Sequence, residues 1–167
     1  GKVLSEWIVE GHPPMDLWDV DVRRMMPFQG NKTYLRERVS ETLGLLYDMH
    51  WPFRQYETAR GARKSILHDR LAAHGACFGT VAGWERANWF APKGVEPKYE
   101  YSYKRQNWFQ YARAEHMAVR ENVGLFDMSS FAKFLVQGRD AETVLQRICT
   151  NNMAVKPGRV RSATGYR

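Results

Sequence analysis

A chain of 167 residues, 44% hydrophobic and 26% charged, has too much apolar content for a disordered tail and room for one ordinary domain or two incomplete ones. No apolar run approaches the roughly 18 residues of a membrane span, and the two cysteines, Cys77 and Cys149, form neither a CxxC motif nor a disulfide framework. The formal net charge of +7 favours anionic partners, of which nucleic acid is one and phosphorylated or carboxylated cofactors are others.

Val3, Leu4, Trp7 and Ile8 recur at helical spacing and predict a short amphipathic helix closed by Gly11 and the Pro13-Pro14 pair. Residues 15–25 mix acids, aromatics and an Arg pair, and read as an irregular or extended connector packed by Leu17 and Trp18. Asn31 is a candidate N-cap for a helix carrying Leu35, Val39, Leu43 and Leu46 on one face, expected to stop near His50 because Pro52 follows. Residues 51–65 then read as a basic linker in which Arg54, Arg60, Arg63 and Lys64 are solvated or meet another part of a larger protein.

A helical turn is expected to end at Gly75, followed by short strands and loops over 76–109. Residues 92–97 form a turn-rich loop, and residues 99–110 an exposed strand or an ordered loop. A helix from about Phe109 to Asn122 stops at Gly124. Phe131, Phe134, Leu135 and Val136 read as a strand ended by Gly138, and Asp140 as the cap of a last helix facing Ala141, Val144, Leu145 and Ile148 inward. Aromatics are 13% of the chain, with six Trp, and most of that surface is expected to be buried.

Two strings carry more than periodicity. Residues 113–133 read RAEHMAVRENVGLFDMSSFAK, and residues 67–92 read LHDRLAAHGACFGTVAGWERANWFAP. Together they resemble the opening of the folate-binding aminomethyltransferase domain of the glycine-cleavage T-protein, in the version fused to FAD-dependent dimethylglycine and sarcosine dehydrogenases. GKVLSEWIVEG at the start resembles the last cofactor-facing helix of the FAD domain of that group, and LWDVDVRR (17–24) its connecting region. The resemblance implies an incomplete α+β fold. Residues 1–14 would be the last helix of the oxidoreductase domain and 15–64 a central connector. Residues 65–160 would be the N-terminal part of the folate domain, and 161–167 an atypical tail. It also implies a natural start upstream of Gly1 and chemical centres on both sides of this segment.

The implied activity is oxidative demethylation of an N-methylglycine, dimethylglycine or sarcosine, by FAD, with the one-carbon unit passed to tetrahydrofolate. The bacterial cytoplasm and the mitochondrial matrix both suit it, and neither a membrane nor a nucleic-acid partner is expected. This segment alone is expected to hold neither cofactor firmly and to carry no catalytic residue. Gly1, Lys2 and Val3 would lie at a helix N-terminus turned to the FAD. Ser129, Ser130 and Phe131 would line the pterin pocket. They stand where the family often has Ser-His-Met-Gly, and the alternative is a core ring flanked by turn serines. The family's folate carboxylate follows a Tyr/Thr strand that would start after Val160. Here the chain reads Arg161-Ser162-Ala163-Thr164-Gly165-Tyr166-Arg167, as a truncated or shifted reading frame would.

Other residues have plainer readings. Asp127 is expected to accept turn N–H groups. Glu115, His116 and Arg120 are expected to form a solvated helix face rather than an acid–base pair. Trp84 and Trp89 are expected to be core or interface anchors, and the histidines lack metal-ligand spacing. Two rival classes remain on the sequence alone: a tetrahydrofolate-binding module without catalysis, and a basic nucleic-acid-associated domain.

Overall fold

The structure is a computed structural model and describes residues 1–164. It is α+β, five helices and one two-stranded antiparallel sheet among the described residues. The chain divides into two compact units, 1–130 and the residues from Phe131 onward.

In the first unit, helix α1 spans Lys2–Glu10. Gly11 closes it in the left-handed conformation that glycine adopts without steric cost (φ 73), its N–H donating to the Trp7 carbonyl at 2.9 Å. The connector takes the irregular of the two expected forms, with Leu17 half-buried but Trp18 not packed. It folds into three short 3-10 turns, Trp18–Val20, Val22–Arg24 and Pro27–Gly30, and Trp18 is 54% exposed. Asn31 caps helix α2 (Lys32–Gly44), its side-chain oxygen accepting the N–H groups of Thr33 and Tyr34 at 2.9 and 3.2 Å. This helix ends at Gly44, six residues before His50; glycine is a poor helix former, and looser turns carry the chain to Tyr47.

The centre of the unit is a hairpin. Strand β1 (Ala76–Val81) pairs antiparallel with β2 (Trp84–Phe90) across a two-residue turn in which both Ala82 and Gly83 have positive φ, 49° and 77°. Cys77 faces Trp89 and Phe78 faces Ala87, so Asn88 is the extra residue of a β-bulge. Helix α3 (His68–Ala73) leads into β1 through Gly75 at φ 85. A Cβ at Gly75 would lie 2.3 Å from the Ala91 carbonyl oxygen. Gly75→Ala is therefore expected to lower stability by at least about 1–2 kcal/mol, read as a reduced denaturation midpoint with an unchanged m-value. Helix α4 (Phe109–Glu121) lies against the hairpin, and residues 99–107 are an ordered loop.

Cys77, Trp89 and Ala91 form the buried core, against which Val95, Tyr99, Trp108 and Tyr111 pack. Both cysteines are free thiols, and burial pushes the Cys77 thiol up to about 11. Most of the described aromatic rings are buried or half-buried, as expected. Trp89 is 1% exposed, whereas Tyr47, Phe53, Tyr103 and Phe126 are all more than half exposed. A two-stranded hairpin has too little area to cover them all.

The second unit holds helix α5 (Ala141–Ile148). Asp140 stands at its N-cap position, but its side chain caps no N–H there and instead accepts from Arg139 Nε at 3.4 Å. The expected strand over 131–136 does not form. No second strand in this unit pairs with it among the described residues, and Phe134 and Leu135 stand exposed. Residues 157–158 form the expected turn, and Thr150 donates its N–H to the Thr164 carbonyl at 2.9 Å. Residues 165–167 of the atypical tail lie outside the described residues.

Candidate functional site

Residues 51–65 are no free linker. Arg60 donates from Nε to Glu85 Oε1 at 3.0 Å and from its terminal nitrogens to the Tyr56 and Phe78 carbonyls. Glu85 also accepts the Gly61 N–H at 2.6 Å. Arg54 pairs with Asp48 at 2.9 Å, and Arg63 lies over the Trp84 ring at 4.3 Å. Glu41 on α2 accepts the N–H groups of Glu57 and Thr58, both at 2.8 Å. Three of the four charges in the basic cluster, Arg54, Arg60 and Arg63, are thus engaged within this unit.

A candidate cleft of about 440 Å³ lies between β2, α4 and residues 123–130. Glu115 is not on a solvated face: its Oε1 accepts the Phe90 N–H at 2.8 Å and ties α4 to β2. His116 donates from Nδ1 to the Ala112 carbonyl at 2.6 Å, and its ring borders the cleft. Asp127 accepts the Ser129 N–H at 2.9 Å and the Ser65 hydroxyl at 2.6 Å, the turn-holding role expected of it. Ser130, Phe126 and Val119 add to the wall.

Of the three sequence candidates for folate, Ser130 lines this cleft, Ser129 takes part in the Asp127 turn, and Phe131 belongs to the second unit, 46% exposed. The cleft is within the size range of small-molecule sites and combines apolar walls with a few polar groups, so a flat pterin ring fits its chemistry. At the other end, Gly1 is the N-cap of α1 and offers no side chain to its free N–H groups. No acid stands in the first turn. Among the described residues no group of three His, Cys, Asp or Glu could hold a metal ion.

Sequence reasoning missed Glu85 and Asn88, and named Arg60 only as part of a basic linker. Arg60 and Glu85 are 25 positions apart, and nothing in local spacing links them. The bulge at Asn88 depends on strand register, which the alternation in residues 84–90 leaves open.

Comparison with known proteins defines the class. The family profile "FAD dependent oxidoreductase central domain" matches residues 10–65, and "GCVT N-terminal domain" matches residues 67–164. The chain is 51% identical over 156 residues to 4-methylaminobutanoate oxidase (formaldehyde-forming) of Paenarthrobacter nicotinovorans, covering 93% of this chain and 19% of that protein. It is 34% identical over 165 residues to the mouse mitochondrial pyruvate dehydrogenase phosphatase regulatory subunit, covering 96% of this chain and 19% of that protein. It is 30% identical over 151 residues to rat mitochondrial dimethylglycine dehydrogenase, covering 90% and 18%. The chain belongs to the FAD-dependent dimethylglycine/sarcosine dehydrogenase family with a glycine-cleavage T-protein-like domain. It spans about a fifth of the length of these relatives. No described helix is long and apolar enough to cross a membrane.

Proposed function

We propose that this chain joins the two working halves of a flavin-dependent oxidoreductase that demethylates N-methylated amino acids and passes the one-carbon unit to tetrahydrofolate. The observation that supports this most is the Arg60–Glu85 clamp. It binds a residue inside the oxidoreductase-type match to one inside the T-protein-type match, within one compact unit. In this reading residues 1–14 end the flavin domain, 15–64 connect, 65–160 open the folate domain and 161–167 are a tail.

FAD, when bound, supplies the two-electron acceptor, and tetrahydrofolate the acceptor for the carbon. The residues of this chain orient and bind. Gly1, Lys2 and Val3 present N–H groups towards the flavin. Ser129 and Ser130 offer hydroxyls to the pterin amide edge, and Phe131 offers a ring face. The substrate class takes in dimethylglycine and sarcosine. The 51% relative, named for 4-methylaminobutanoate, extends it to longer methylamino acids. The compartment is the bacterial cytoplasm or the mitochondrial matrix.

A second reading, a folate-binding module without catalysis, draws on the relative named as a regulatory subunit and on Ser129-Ser130-Phe131-Ala132 replacing the family's usual run.

One experiment separates them. In the full-length protein, anaerobic dimethylglycine, sarcosine or 4-methylaminobutanoate is expected to bleach the oxidised-flavin band, and added tetrahydrofolate to convert released formaldehyde into methylenetetrahydrofolate. Absence of flavin, or a flavin that none of the three amines reduces, overturns the catalytic reading.

A further inference from the structure

A smaller cavity of about 240 Å³ is lined by Phe53, Gln55, Asn88, Trp89, Tyr99 and Trp108. Four of these six residues are aromatic and none is charged. The rings are held by their neighbours. Trp89 stacks on Tyr111 at 5.6 Å and 11°, Tyr99 stacks on Tyr101 at 5.8 Å and 11°, and Phe53 meets Trp108 edge-on at 5.3 Å and 86°.

The polar part of the lining is two carboxamides. Asn88 donates from Nδ2 to the Tyr99 hydroxyl at 2.6 Å, and Gln55 Oε1 accepts the Thr80 N–H at 3.1 Å. The bulge re-aims Asn88, and Gly79 makes room for it: a Cβ there would lie 2.3 Å from both amides. Phe53 is 59% exposed and sits at φ 61, a left-handed conformation that bulky residues avoid. It is pinned from both sides, by the Trp51–Tyr103 ring contact at 4.8 Å and by the Gln55 N–H donating to the Tyr101 hydroxyl at 2.9 Å. Backbone strain of this kind persists where the surroundings over-determine it, which marks ligand clamps.

The geometry points to a binding site for a small methylated ammonium ion in this aromatic cavity. Ring quadrupoles attract a weakly hydrated cation, and the carboxamides present no like charge against it. An anion finds no Lys or Arg in the lining. Only the natural source of the cation rests on the methylated-amine reading above; the cavity's preference stands by itself.

The test compares choline with 3,3-dimethylbutan-1-ol, its uncharged isostere, titrated into the chain and followed by ligand-observed NMR. Choline is expected to saturate and to bind roughly threefold to thirtyfold more tightly than the alcohol. Phe53→Leu, at the exposed rim, keeps apolar bulk and removes one ring. It is expected to weaken choline selectively, with an unchanged thermal melt. Equal binding of the two probes overturns the inference and makes the cavity an apolar slot for another segment's side chain. Failure of choline to saturate overturns it as well. Because neither probe involves the flavin, an amine that fails to bleach the full-length protein leaves this result standing, and the two readings fail separately.

Discussion

Glu85→Ala is expected to lower the unfolding free energy by about 3 kcal/mol, at the lower end of what breaking a buried ion pair costs, because Arg60 keeps a third of its side chain exposed. The Glu85 side chain is 4% exposed, and its loss strands the Arg60 guanidinium and the Gly61 N–H. Replacing both partners, Arg60→Met with Glu85→Leu, is expected to recover most of the loss, since a packed apolar pair leaves no charge unpaired. Urea denaturation of the chain and of the single and double variants measures both effects. A single variant within 0.5 kcal/mol or so of the parent would show that the clamp adds nothing.

The same pair fixes a pH dependence. Burial alone would raise the Glu85 carboxyl, but the Arg60 hydrogen bonds, the Gly61 N–H and the Arg60 charge outweigh it and hold it below its ordinary value of 4.5. A carboxyl lowered in the folded state stabilises above the unfolded value, and that contribution disappears as pH falls through the folded one. Glu41 shifts the same way: burial opposes, and Thr58, the N–H groups of Glu57 and Thr58 and the Arg38 charge prevail. Stability is therefore expected to fall as pH drops below 4.5, less steeply in the Glu85→Ala variant.

Trp89→Ala is expected to cost about 3–5 kcal/mol. Trp89 is the largest fully buried side chain, it stacks on Tyr111 of α4, and the core around it has few other members. Its loss removes the ring contact of α4 with the hairpin and leaves the Glu115–Phe90 hydrogen bond to hold the two together. The expected signature is loss of a cooperative melt rather than a shifted one, read by near-UV circular dichroism. Trp89→Phe, which keeps a ring on Tyr111, is expected to restore cooperativity.

The five helices were legible because their signals are local. The apolar spacing of 3–8, the Asn31 side chain within reach of Thr33 and Tyr34, and glycine after Glu10 all act within a turn or two of the residues they organise. The 131–136 run fails for the complementary reason: β-branched and aromatic residues make a strand only when a second strand pairs with them, and that unit holds no strand among the described residues. The candidate site was partly legible. The string 113–133 located Asp127 and the serines, while the tie from Glu115 to Phe90 needed the fold.

By itself the sequence determined the family and the helices, because residue identity and short-range spacing carry that information along the chain. The tertiary structure alone decided that Arg60 finds Glu85, that a bulge turns Asn88 onto Gly79, and that four rings from three stretches of chain close on one cavity. Those pairings join residues tens of positions apart, and only burial in a shared core makes them favourable enough to form.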